Sequence, residues 1–148
     1  MLAGRRVTLG LEKNAATAGD VWVLDRDSGV LAAGDLVTLP VPFLDTACPT
    51  GWKKALDRLA AEPFRLLVPG HGEPMTRAAF DIYRKAFGDL LECVASERPD
   101  AGCTASWLGD VVDLDRVTDR AFARSLMGYY VEEVLRGDPA RLAANCAQ

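Results

Sequence analysis

The spacing of apolar positions changes several times along the chain, and the changes mark out its elements. Residues 6-RVTLGL-11 alternate loosely and 20-DVWVLD-25 alternate with period two, the mark of strands with one buried face. The turn-forming run 26-RDSG-29 separates the second of these from 30-VLAAGD-35, a small apolar strand, so the two form a hairpin-like pair. The proline-punctuated run 36-LVTLPVPFLDTACP-49 reads as a loop over the surface. In 50-TGWKKALDRLAAE-62, Trp52, Leu56 and Leu59 recur at helical spacing on one face, and Pro63 stops the helix. A short strand follows at 64-FRLLV-68. Thr76 then stands where a helix N-cap belongs, ahead of Phe80, Tyr83, Phe87, Leu90, Leu91 and Val94 at spacings of three and four.

The tail from about Ala101 is helical in pattern. Its segment 118–137 opens on a Thr cap at Thr118, ends on Gly137, and carries an apolar stripe of Phe122, Leu126, Met127, Tyr130, Val131 and Val134 that reads as packing against the preceding helix. The order strands, helix, strand, long helix, helical tail predicts an α+β domain with helices covering a sheet. Trp22, Trp52 and Trp107 read as packing residues.

Length and composition narrow the function classes. A chain of 148 residues, 49% hydrophobic and 26% charged, is one ordinary globular domain, or one domain with a tail. Its net charge is −4 and no Lys/Arg stripe forms, which argues against nucleic acid as a partner. No apolar run reaches the roughly 18 residues of a membrane span, so no membrane insertion is expected. Residues 1–13 lack the apolar stretch of a secretory signal, which points to the cytoplasm. Four cysteines, Cys48, Cys93, Cys103 and Cys146, point the other way if they form two disulfides in an exported protein. Cys93 and Cys103 flank a turn-forming stretch and could meet, leaving Cys48 and Cys146, but three connectivities are open, as are four buried thiols in a reducing compartment.

Candidate chemistry is sparse. His71, the one histidine, lies between two glycines at the end of an apolar run, in 66-LLVPGHGEPMT-76. Asp35 ends another apolar strand, after Gly34. If the two strands are neighbours, imidazole and carboxylate meet at one sheet edge, and both are ordinary zinc ligands. Asp20, Asp45 and Glu73 are further oxygen donors that nothing in their context marks out, and Cys48 is a conceivable thiolate.

The segments 19-GDVWVLDRDSGVLAAGDLV-37, 52-WKKALDRL-59 and 68-VPGHGEPMT-76 together resemble the C-terminal half of a metallo-β-lactamase-fold hydrolase, over residues 6 to 95. The resemblance implies part of an αββα sandwich and a zinc-dependent hydrolase ancestry, with esters, thioesters or lactams as substrates. It places Asp35 at the position of the metal-bridging carboxylate and His71 at the last metal histidine. It divides the chain into a half-domain at 1–98 and a helical tail packed on it at 99–148.

The departures from the family pattern carry as much weight. The family's HxHxDH motif cannot occur in a chain with one histidine. Within the matched region, 15-AATAGD-20 has Ala16 where the resemblance implies another metal histidine. Catalytic zinc sites use three protein ligands and a water, so the expectation is a partial or degenerate member without hydrolase activity on its own, its zinc lost. Two alternatives stand beside it: a zinc hydrolase whose ligands another chain completes, and a non-catalytic ligand- or partner-binding module. The catalytic and substrate-binding residues are not assigned by the sequence, although loop 38–49 could line a cleft. Half a sandwich also leaves an apolar sheet face, to be covered by a second copy, by the missing N-terminal half, or by the chain's own tail.

Overall fold

The computed structural model describes residues 4–111, 114 and 120–147. Strands β1 (Val7–Lys13), β2 (Gly19–Asp25) and β3 (Val30–Thr38) lead through helix α1 (Pro49–Ala61) to β4 (Leu66–His71) and a two-residue β5 (Met75–Thr76). Helices α2 (Arg77–Ala95), α3 (Asp100–Val111) and α4 (Arg120–Tyr129) follow. A π-helical turn (Tyr130–Leu135) and α5 (Pro139–Cys146) complete the chain. The strands form one sheet in the order β1-β2-β3-β4-β5; only β3 and β4 are parallel, joined by the α1 crossover.

Local chemistry fixes most element ends. Pro49 occupies the first turn of α1, where a missing N–H costs nothing. The Thr76 hydroxyl accepts the Ala79 N–H at 3.2 Å and caps α2. Gly29 closes the β2–β3 turn with φ at +67°. Beside it the Asp25 carboxylate accepts from Arg5 and Ser28, and these bonds hold its pKa down at about 2.

One face of the sheet is covered. Leu24, Leu31 and Leu67 turn toward α1 and α2, which answer with Trp52, Leu56, Phe80 and Phe87, all fully buried. Tyr83 is buried here too. Its hydroxyl accepts the Thr38 N–H at 3.4 Å, and burial pushes its pKa well up.

The tail does not cross to the other face. Helix α3 packs along α2, the Trp107 ring meets Tyr83 edge-on at 5.5 Å, and Cys103 bonds to Cys93 of α2. Arg136 ties the end of the π-helical turn to α2 by donating to the carbonyls of Val94, Cys93 and Ser96. Helix α5 is joined to the start of α1 by the Cys48–Cys146 disulfide. Of the possible cysteine pairings, the one formed is therefore 93–103 with 48–146. That fits folding in an oxidising compartment.

Three expectations are corrected. The run 36–49 does not lie over the surface: β3 continues to Thr38, and Leu39, Val41, Leu44 and Ala47 are buried beneath the tail. The stripe of the last long helix is buried at Met127, Tyr130, Val131 and Val134, but Phe122 is 59% exposed. Among the described residues, the tail leaves the open sheet face uncovered, with Leu9 at 66% and Val21 at 59% exposure. The proposed Thr118 cap lies outside the described residues. No helix among the described residues is long and apolar enough to cross a membrane.

Candidate functional site

Asp35 and His71 come from the parallel neighbours β3 and β4, at the C-terminal end of the sheet. Register shifts between Ala32, Gly34 and Thr38 bend β3 at this point, and Thr38 pairs with His71. Gly34 takes φ +54° in the bend. The imidazole Nε2 lies 3.7 Å from Asp35 Oδ1, and both side chains are about half exposed, at 54% and 51%. The structure thus brings the two residues picked out by the sequence to one solvent-facing edge.

Gly70 makes their approach possible. A Cβ there would overlap Asp35 Oδ1 and come within 2.8 Å of the Gly34 carbonyl carbon. Gly70→Ala is therefore expected to displace the Asp35 carboxylate and cost roughly 1–3 kcal/mol. Thermal unfolding should register this as a drop of several degrees; an unchanged midpoint would show that the backbone yields at no cost.

Loop 39–48 forms the wall of the site. The Leu39 N–H donates to the His71 carbonyl at 3.0 Å, and the Phe43 ring packs edge-on against the imidazole at 4.9 Å. The tail holds this loop from behind. Trp107 Nε1–H donates to the Pro40 carbonyl at 2.9 Å, and the Tyr130 hydroxyl donates to Asp45 Oδ2 at 2.7 Å. Burial, and then the adjacent Asp45 carboxylate, keep the Tyr130 pKa well above the ordinary phenol value, so this hydroxyl remains a donor at neutral pH. The sequence offers loop 38–49 as a cleft lining without singling out Phe43, and it gives Tyr130 a packing role only. The one local hint was an aromatic residue directly after the two prolines of 40-PVPF-43.

The remaining donors are engaged elsewhere. Asp20 accepts from Thr17 N–H and Oγ1–H, both at 3.0 Å, within the turn that carries Ala16. Asp45 also faces Arg141 at 3.8 Å, Glu73 is exposed, and the Cys48 sulfur is in a disulfide. Ala16 is 3% exposed, its carbonyl accepting from Thr46 Oγ1 at 3.2 Å, so a buried methyl stands where the resemblance implied a ligand. Among the described residues no three His, Cys, Asp or Glu side chains converge to hold a metal. One imidazole and one carboxylate do not meet the three-ligand requirement of a catalytic zinc site. Among the described residues, the donors do not by themselves fit the group.

Among solved structures the chain is similar to a metallo-beta-lactamase family protein from Thermus thermophilus, with a TM-score of 0.51 and 21% identity. The fold is of the metallo-β-lactamase type. The match takes in 90% of this chain and 46% of that one, so this chain spans a little under half the length of the protein it matches. No family model and no curated protein matches the sequence. Within a metallo-β-lactamase-type fold, the Asp35–His71 edge is the place where the resemblance put the metal.

Proposed function

We propose that this chain is a partial, degenerate metallo-β-lactamase-type protein that does not hydrolyse substrates on its own. In this reading residues 1–98 are the half-fold and residues 99–148 a tail that braces the wall of the old site. The observation that carries the reading is the donor count. Asp35 and His71 converge, while Asp20, Asp45 and Cys48 are bound up in other contacts and Ala16 offers only a methyl. When bound, zinc brings the pKa of a water to about 7 and so supplies a nucleophile; two donors are too few to hold it for that purpose.

Elemental analysis after purification without a metal-binding tag tests the proposal, with thioester, lactone and β-lactam hydrolysis assayed in excess zinc. The expected result is no stoichiometric zinc, iron or manganese and no zinc-dependent turnover. About one metal per chain, lost in His71→Ala, would sink the proposal.

That outcome belongs to a second reading, in which another chain completes the ligand set. The 3.7 Å approach of two half-exposed donors favours it, because the pair still opens toward whatever lies in front of the sheet edge. The two disulfides support an exported parent protein under either reading.

A further inference from the structure

The two disulfides differ in what surrounds them. Cys93 and Cys103 are 4% and 0% exposed, between α2 and α3. Cys48 is as buried as Cys93, but its partner Cys146 is part-exposed at the end of α5. The bond between them lies at an open cavity of about 360 Å³, lined also by Lys13, Asn14, Thr50, Lys54 and Arg58. Arg58 is paired with Glu12. Among the described residues no carboxylate pairs with Lys13 or Lys54. The cavity is therefore cationic, and it gives a small anionic thiol an approach to one of the two bonds.

The two sulfurs of that bond are unequal as well. Cys48 is the N-cap of α1; its side chain makes no capping hydrogen bond, and no acidic residue stands in the first turn. A thiolate released there meets the open N–H groups of the first turn and the Thr50 hydroxyl, whose Oγ1 lies 3.6 Å from Cys48 Sγ. Such a position lowers the pKa of a thiol and makes its thiolate the better leaving group. Cys146 is the last residue of α5, where the helix presents carbonyls and disfavours negative charge.

Helix α5 relies on this bond. It buries no residue, and a helix of 8 residues is too short to persist alone. Its polar contacts converge on the far end of the wall loop. Arg141 and Asn145 both donate to the Asp45 carbonyl at 3.4 Å, and Asn145 donates to the Ala47 carbonyl at 3.2 Å. We infer that Cys48–Cys146 is a thiol-cleavable clasp that holds loop 39–48 in place beside the Asp35–His71 edge. The thiolate of the reductant attacks Cys146 Sγ and forms a mixed disulfide there. The Cys48–Cys146 bond breaks, and its electron pair leaves on Cys48 Sγ. A second thiolate then displaces Cys146, so the clasp gains two electrons and the reductant is oxidised to its own disulfide. Opening frees α5 and loosens 39–48, while the 93–103 bond stays closed. None of this depends on whether Asp35 and His71 hold a metal, so the metal analysis and the reduction measurement fail separately.

Timed reduction of the oxidised chain by glutathione is the test. Samples are quenched with iodoacetamide and read by peptide mass spectrometry, with amide exchange measured alongside. Cys48–Cys146 should open about tenfold or more faster than Cys93–Cys103. The first product should carry glutathione on Cys146 and the alkyl group on Cys48. Exchange should rise in 139–146 and in 39–48 and stay unchanged in α2 and α3. Lys13→Ala/Lys54→Ala should slow glutathione more than it slows neutral 2-mercaptoethanol. Equal rates for the two bonds, or opening of 93–103 first, overturn the inference. Glutathione on Cys48 in the first product reverses the leaving group and overturns it too. Unchanged exchange in 39–48 after opening removes the clasp, and equal slowing of both thiols by the lysine variant removes the cationic approach.

Discussion

Replacing Cys48 and Cys146 together by alanine is expected to lower the unfolding free energy by about 4–5 kcal/mol, the largest single effect among covalent changes to this chain. The two cysteines are 98 residues apart. Cross-linking so long a loop removes more freedom from the unfolded chain than closing a short one. The Cys93–Cys103 bond spans only 10 residues, and its removal should cost roughly 2.5–3 kcal/mol by the same reasoning. The order of the two effects is thus set by loop length. The local consequence differs as well. Helix α5 buries none of its residues, and beyond the disulfide it is held by Asn14 donating to the Cys146 carbonyl at 2.9 Å and Asn145 donating to Ala47 at 3.2 Å. Urea unfolding of the two double variants measures the order, and amide exchange in residues 139–146 reports whether α5 releases. Equal losses from the two variants would refute the loop-length account.

Trp52→Ala is expected to cost about 3–5 kcal/mol. The Trp52 side chain is fully buried, packs against Phe87 at 5.1 Å between ring centres, and donates Nε1–H to the Leu36 carbonyl at 2.9 Å. Truncation would leave a cavity between α1 and α2 and an unpaired carbonyl in β3, one residue beyond Asp35. At roughly 2–4 °C per kcal/mol for a chain of this size, the melting temperature should fall by about 6 °C or more. Trp52→Phe keeps most of the volume but not the donor. It should lose only the hydrogen-bond share, about 1–3 kcal/mol. Calorimetry of the pair separates packing from hydrogen bonding, and a Phe variant as unstable as the Ala variant would assign most of the effect to the Leu36 carbonyl.

The sequence made the regular elements legible wherever one face is buried and the other is not. The period of two around Trp22 and Leu24, and the helical spacing of Trp52, Leu56 and Leu59, follow directly from that asymmetry. It failed for 39–48, where proline spacing suggested an exposed loop. Burial of Leu39, Val41 and Leu44 is imposed by α3 and the π-helical turn, more than 50 residues away in sequence, as the Trp107–Pro40 and Tyr130–Asp45 hydrogen bonds show. The π-helical turn could not be told from α-helix, because Tyr130, Val131 and Val134 continue the apolar stripe at helical spacing and six residues are too few to show a changed period. Asp35 and His71 could be picked out as a pair because Gly34 precedes one and Gly70 and Gly72 flank the other, and glycine marks close backbone approach without an alignment. Phe43 was missed because an aromatic residue in a proline-rich run carries no mark of what it will touch. The cysteine pairing depended on where α5 docks, which local sequence cannot state.

Glu12 of β1 is buried on the helix side of the sheet, accepting from Trp22 Nε1–H at 3.1 Å and from Arg58 Nε–H of α1 at 2.6 Å, and this trio bears on competing folds. A slip of β1 by one residue would carry Val7, Leu9 and Leu11 beneath the helices and lift Glu12 into water. Judged by oil and water alone, that misaligned molecule is the more favourable one, and it would expose less apolar surface on the outer face, where Val21, Val23, Ala32 and Val68 would remain. What disfavours it is specific. The slip would strand the Arg58 guanidinium and the Trp22 indole N–H without their acceptor, and it would press side chains into the space beside Gly10 that the Trp22 ring now fills. One carboxylate and one missing methyl therefore weigh against this slipped register and help to keep it apart in energy from the native one.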